Sequence, residues 1–279
     1  MRSALVAVAL AGAFLSPAPG EEPTKPRLRV YQRVGKPDAE AAVDEVRQAG
    51  LSPDAVVLPT ETEFNDPRQV ETVAAAAEAL LRAGTRELWL EIGLSGQTLD
   101  PEHALVAAQA YVKAIPRAKG LVIHWLFPKR FLPPPKLADP YLRRFAAIGL
   151  PLIVMGDPEP RRTLEYTGLE WEKVEAIAQV VAAAPDLYFA HSMFEFDEHD
   201  VTIVGRWLDT LARTSRLPLY PCIRVRTAID AKGVTLADFE AMLEMVAKRD
   251  VPAIILEGGP KQQPDWARWR ESMRRILGR

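Results

Sequence analysis

The segment PAIILEGGP (252–260) runs through four apolar residues, Ala253 to Leu256, and then delivers Glu257 followed by two glycines. A carboxylate at the end of an apolar run can transfer a proton, attack a carbon or hold a cation. Comparable events recur along the chain. Glu91 is the last but one residue of ELWLEI (87–92) and Asp157 ends PLIVMGD (151–157). His124 and Trp125 lie late in GLVIHWLF (120–127), and His191 with Ser192 ends DLYFAHS (186–192). Arg224 and Arg226 lie in PLYPCIRVRT (218–227), Tyr31 and Arg33 in LRVYQRV (28–34), and Thr60 closes AVVLPT (55–60).

Two carboxylates facing one another across a pocket are the minimum for glycoside hydrolysis, one as acid and one as nucleophile or base. Glu91, Asp157, Glu195 and Glu257 are the candidates, and Glu91 with Glu257 is the expected catalytic pair. Tyr31, Arg33, His124, Trp125, Asp157, His191, Glu195, Arg224 and Arg226 are expected to contact the ligand. The aromatic residues Trp125, Phe127, Phe131, Tyr166 and Trp171 offer flat faces on which sugars stack.

Other chemistries fit less well. HSMFEFDEHD (191–200) holds His191, Glu195, Asp197, His199 and Asp200 but no recognised metal-ligand spacing; Asp197 or Asp200 fits better as the cap of a helix starting near Val201. A phosphate cradle at Glu257-Gly258-Gly259 would place an anion against a carboxylate. No G-x-S-x-G is present for a nucleophilic triad, and no G-x-G-x-x-G follows the first strand. No metal and no cofactor is expected.

The elements that must position these groups are legible. Eight runs rich in β-branched and aromatic residues alternate with helical patterns at 39–50, 68–84, 101–114, 140–149, 171–184, 201–214, 235–249 and 265–278. Eight βα units in this length imply an α/β fold of the closed (β/α)8 type, with a doubly wound open sheet as the alternative. Links from helix to strand are short, as in AGLSPD and AGTRE. Links from strand to helix are long, notably 127–139 and 156–170. The long links therefore gather at the carboxyl end of the strands, where such barrels build their sites. Side-chain alternation turns Val30, Val34, Leu219, Ile223 and Val225 toward the helices. It turns Tyr31, Arg33, Arg224, Arg226, Ile255 and Glu257 toward the barrel axis. Strands eight, one and seven are neighbours in a closed ring, which brings Arg33, Glu257 and an arginine of strand seven within reach of one another.

This pattern, preceded by an export signal, resembles the barrel glycoside hydrolases at the level of architecture. The largest clan of those enzymes ends its fourth strand in Asn-Glu and its seventh in Glu. This chain has His124-Trp125 and Arg224 there, and the D-x-x-D-x-D-x-E pattern of chitinase-like enzymes is absent. The resemblance implies an enzyme acting on a poly- or oligosaccharide. The alternative is a non-catalytic barrel that binds a carbohydrate or cell-envelope ligand.

The N-terminus reads as a cleavable secretory signal over residues 1–20: Arg2, an apolar run from Ala4 to Leu15, then a break at Ser16-Pro-Ala-Pro-Gly. A short linker, 21–26, leads to one domain over 27–279, which is expected to be secreted or periplasmic. The formal charge of −2 becomes −3 when Arg2 is removed, which leaves no electrostatic footprint for nucleic acid. No later apolar run is long enough to span a membrane. The single cysteine, Cys222, excludes an intramolecular disulfide and a Cys-rich zinc site. The expected partner is a small molecule or a glycan.

Overall fold

The structure, a computed structural model, describes residues 27–60, 67–93, 101–124, 138–156, 171–187, 201–225, 235–259 and 263–279. Its strands are β1 (Arg29–Arg33), β2 (Ala55–Thr60), β3 (Leu88–Gly93), β4 (Gly120–His124), β5 (Leu152–Gly156), β6 (Val180–Pro185), β7 (Cys222–Arg224) and β8 (Ala253–Glu257). They alternate with helices α1 (Ala39–Ala49), α2 (Pro67–Arg82), α3 (Pro101–Ala114), α4 (Ala138–Ala146), α5 (Trp171–Glu175), α6 (Val201–Thr214), α7 (Leu236–Ala247) and α8 (Trp266–Leu277). All the strand pairings are parallel, in the order β6-β5-β4-β3-β2-β1-β8-β7.

The first and last strands pair in register from Arg29 opposite Ala253 to Arg33 opposite Glu257, as ring closure requires. The remaining seam, between β6 and β7, is joined by two isolated parallel bridges, Ala183 to Leu219 and Asp186 to Cys222. Backbone hydrogen bonds reinforce it: the Ala183 N–H donates to the Pro218 carbonyl at 2.9 Å and the Tyr220 N–H to the Ala183 carbonyl at 2.6 Å. The chain is a nearly closed (β/α)8 barrel.

Strand alternation separates two apolar layers. Val30, Leu90, Leu121, Val154, Ile223 and Leu256 pack outward with helix residues such as Leu80, Tyr111, Phe145 and Phe239. Tyr31, Val57, Trp89, Val122, Met155, Ala184, Cys222 and Ile255 fill the barrel itself. Large and small interior side chains complement one another. Tyr31 packs edge-on to Tyr220 at 5.4 Å between ring centroids and lies 5.9 Å from Trp89. Gly120 makes room for that indole, because a Cβ there would stand 2.2 Å from the Trp89 ring.

The sixth βα unit departs from the sequence expectation. AIAQVVAAA reads as the second half of a helix over 171–184, because alanine is the best helix former. The helix instead ends at Glu175, and 180–185 is the strand. Tertiary pairing overrides propensity here. The ladder with β5 matches Ile153 to Ala182 and Met155 to Ala184, so small methyl groups face large interior neighbours. Pro185, without an N–H, ends the strand. The strand expected at 186–192 is thus displaced toward the N-terminus, and Asp186, not His191-Ser192, stands at its carboxyl end.

The opposite end of the barrel is tied by Arg279, whose side chain is almost fully buried. Its guanidinium donates to the carbonyls of Leu28 at 3.1 Å, Leu51 at 3.4 Å and Ser52 at 3.0 Å, and pairs with Asp54. Asp54 also accepts the Val30 N–H at 2.8 Å. Burial alone would raise the Asp54 carboxyl, but the Val30 N–H and Arg279 outweigh it and hold the group below its ordinary value. A depressed native pKa gives stability that is present above the unfolded value and lost as pH falls through the native one. Arg279→Met is therefore expected to cost about 2–4 kcal/mol in urea unfolding. Asp54→Asn is expected to cost about 1–2 kcal/mol at pH 7. The Asp54→Asn penalty should shrink when the titration is repeated below about pH 4, where the wild-type carboxyl also loses its charge.

Candidate functional site

The carboxyl ends of five strands bring five charged side chains together. Arg33 sits on β1, Glu257 on β8 and Arg224 on β7, in one line of backbone register. Glu91 on β3 and Asp186 just beyond β6 complete the set. Each shares its face with an interior residue two positions earlier: Tyr31, Ile255, Cys222, Trp89 and Ala184.

The contacts form an alternating chain. Arg33 holds Glu91 with two parallel bonds, one from Nε and one from Nη2 to Oε1 at 2.8 Å. Arg33 Nη1 reaches Glu257 Oε1 at 2.8 Å. Arg224 Nε lies 3.0 Å from Glu257 Oε2, and its Nη2 donates to Asp186 Oδ2 at 2.7 Å. Glu257 therefore has a different guanidinium at each of its oxygens. The side chains of Glu91, Glu257 and Asp186 are only 3–4 % exposed, with Arg224 at 9 % and Arg33 at 14 %. Desolvating this many charges is tolerable only because each has an opposite partner. Burial by itself would lower the Arg33 guanidinium, but Glu91 and Glu257 outweigh it and push the group well above its ordinary value. Asp186 and Glu257 likewise overcome burial and raise Arg224. Both cations stay charged throughout the working pH range.

The backbone beneath is fixed too. The Thr60 hydroxyl donates to the Glu91 carbonyl at 2.8 Å, and the Val225 N–H donates to the Glu257 carbonyl at 2.6 Å. Gly258 follows with φ +115°, and a Cβ there would meet the Val225 carbonyl oxygen at 2.3 Å. Only glycine allows the chain to leave β8 this close to β7.

The described expected site residues do not all lie at this level. Arg33, Glu91, Arg224 and Glu257 meet directly. Tyr31 lies one layer lower, inside the packed barrel, where burial first and then Tyr220 push its phenol above the ordinary value. His124 ends β4 in register with Gly93 and Met155. Trp125, Asp157, His191, Glu195 and Arg226 lie outside the described residues, as does the whole 191–200 cluster. Asp186 is the member that sequence reading missed. Its signal was the Pro-Asp step after VVAAA, obscured by the helical reading of those alanines. Cys222, fully buried under the network, is no nucleophile: burial and then Asp186 push its thiol well above the ordinary value. Among the described residues no group of three His, Cys, Asp or Glu side chains converges in a way that could hold a metal. No helix among them is long and apolar enough to cross a membrane.

No family model matches the chain, and no curated protein matches it significantly. Solved structures do share its fold. An endocellulase from Pyrococcus horikoshii, solved with cellotetraose, superposes with a TM-score of 0.58 at 8 % identity, covering 90 % of this chain and 92 % of that one. A 3-dehydroquinate dehydratase from Geobacillus kaustophilus gives 0.53 at 15 % identity, with 90 % and 92 % covered. Endonuclease IV from Thermus thermophilus gives 0.51 at 16 % identity, with 90 % and 100 % covered. The likeness is one of fold: these barrels carry a hydrolase, a dehydratase and a nuclease, and a glycoside hydrolase is one neighbour type among several.

The ion network yields a direct expectation. Arg33→Met removes both bonds to Glu91 and one of the two cations at Glu257, leaving buried charge uncompensated. It should cost about 3–5 kcal/mol in chemical denaturation. Arg33→Lys should recover less than half of that, since a single ammonium cannot reproduce a fork shared by two carboxylates. Loss of under about 1 kcal/mol in the methionine variant would mean the network contributes no more than an exposed pair.

Proposed function

We propose that this chain is an exported enzyme of glycoside-hydrolase type, acting on a poly- or oligosaccharide at the carboxyl-terminal mouth of its barrel. The observation that carries the reading is that Glu91 and Glu257 share one guanidinium, that of Arg33. Two carboxylates bound to the same guanidinium lie within about 10 Å of each other, the ceiling for a pair acting on one glycosidic bond. Glu257, gripped at both oxygens by different arginines, suits the nucleophile or base, whose orientation must be fixed before substrate arrives. Glu91 takes the acid role once a sugar hydroxyl takes over part of the Arg33 fork. The cellotetraose-bound endocellulase among the fold neighbours supports the substrate class by analogy. The apolar segment before residue 20 supports export.

A second reading has its own observation. All three described rim carboxylates are already engaged by arginine, and Glu91 is engaged at both oxygens. This is the arrangement of a rigid frame, and it suits a barrel that binds a glycan or cell-envelope ligand without reacting.

Incubating the purified protein with a glycan panel separates the two, with reducing-end release and thermal shift read together. The enzyme reading predicts turnover that falls at least about a hundredfold in Glu91→Gln and in Glu257→Gln while the ligand-induced shift persists. A shift without turnover in the wild type supports the binding barrel. Turnover unchanged by both substitutions, or neither signal with any glycan, overturns the assignment of this pair.

A further inference from the structure

The amino-terminal end of the barrel, remote from the carboxylate network, holds a cavity of about 390 Å³ between the last turns of α1 and α2 and the turns that follow them. Val43, Val46 and Pro53 give it apolar lining, and Arg27, Arg47 and Arg86 give it cationic lining. The volume lies within the range of small-ligand pockets.

The charge balance singles this cavity out. Its one carboxylate, Asp54, is committed to the Val30 N–H and to Arg279. Arg27 adds a long-range attraction to Asp54, but among the described residues no carboxylate forms an ion pair with Arg47 or Arg86. Asp54 and Arg279 cancel, leaving three guanidiniums. The carboxyl ends of α1 and α2 oppose them with roughly half a negative charge each, about one in total. A surplus of about two positive charges therefore faces a pocket that also carries hydrocarbon surface. The Gly50 N–H donates to the Val46 carbonyl, the Gly84 N–H to Leu81 and the Thr85 N–H to Leu80, so the helix-end acceptors are already used and do not compete for the arginines.

We propose that this cavity binds a small amphiphilic anion, with a carboxylate or comparable anionic head against Arg47 and Arg86 and a short apolar body against Val43, Val46 and Pro53. A neutral amphiphile would leave the cations unanswered, and a bare anion would leave the apolar lining wet. The site is independent of the proposed glycan chemistry, which lies at the other end of the strands.

Isothermal titration of the purified protein with octanoate tests this, with 1-octanol and inorganic phosphate as probes carrying only one half of the ligand. Octanoate should bind saturably at one site, and each half-ligand at least about tenfold more weakly. Arg47→Glu and Arg86→Glu, both at exposed positions and with the fold checked by circular dichroism, should each weaken octanoate about tenfold or more. Arg82→Glu, on α2 but outside the cavity, should leave it within about twofold. No saturable octanoate binding, affinity indifferent to the two reversals, or equal affinity for octanol or phosphate would each overturn the proposal.

Discussion

One guanidinium, that of Arg33, organises the mouth of this barrel. Its side chain touches both Glu91 and Glu257, and it does so from a strand whose register with β8 is unbroken over five residue pairs. The pairing of the first strand with the last is therefore more than a topological detail. If β1 and β8 were the two edges of an open sheet, Arg33 would keep Glu91 but lose Glu257, and Glu257 would keep Arg224 alone, so buried charge would be less fully compensated. Closure of the ring completes the neutralisation of its charges.

The layer below explains why the charges sit where they do. Tyr31, Trp89 and Tyr220 fill the barrel at mid-height, helped by the alanines of β6 and by the absence of a side chain at Gly120. Water has no place among them, so the network above rests on a dry floor. There its electrostatic interactions are stronger than they would be in solvent. The same filling keeps Cys222 inert and holds Tyr31 away from the rim. Chemistry, whichever kind it is, is confined to the top layer.

Much of this was legible in the sequence. Period-two alternation in LRVYQRV and PAIILEG fixed which residues face the axis, and eight βα units implied that strands one and eight are neighbours. Together these bring Arg33 within reach of Glu257; the exact register between them comes from the structure. The sixth unit was not legible, because alanine-rich sequence favours a helix locally and only the ladder to β5 and the space inside the barrel make it a strand. That displacement hid Asp186, a carboxylate that the ring brings to Arg224 across the β6–β7 seam. The reach of Arg33 past β2 to Glu91 was also hidden. It depends on the stagger of adjacent strands and on a long side chain choosing between several acceptors, and neither leaves a mark in residue spacing.

The central claim is that the five charges act as one unit. It is tested most directly by a double-mutant cycle on its two ends, Glu91→Gln and Asp186→Asn, with unfolding free energies for both singles and the double. Each substitution removes one anion, so the arginine it held leans further on Glu257 and alters what the other arginine finds there. The account predicts a coupling of at least about 1 kcal/mol between two residues on different sides of the ring. Additivity within about 0.5 kcal/mol would contradict it and reduce the mouth to separate ion pairs.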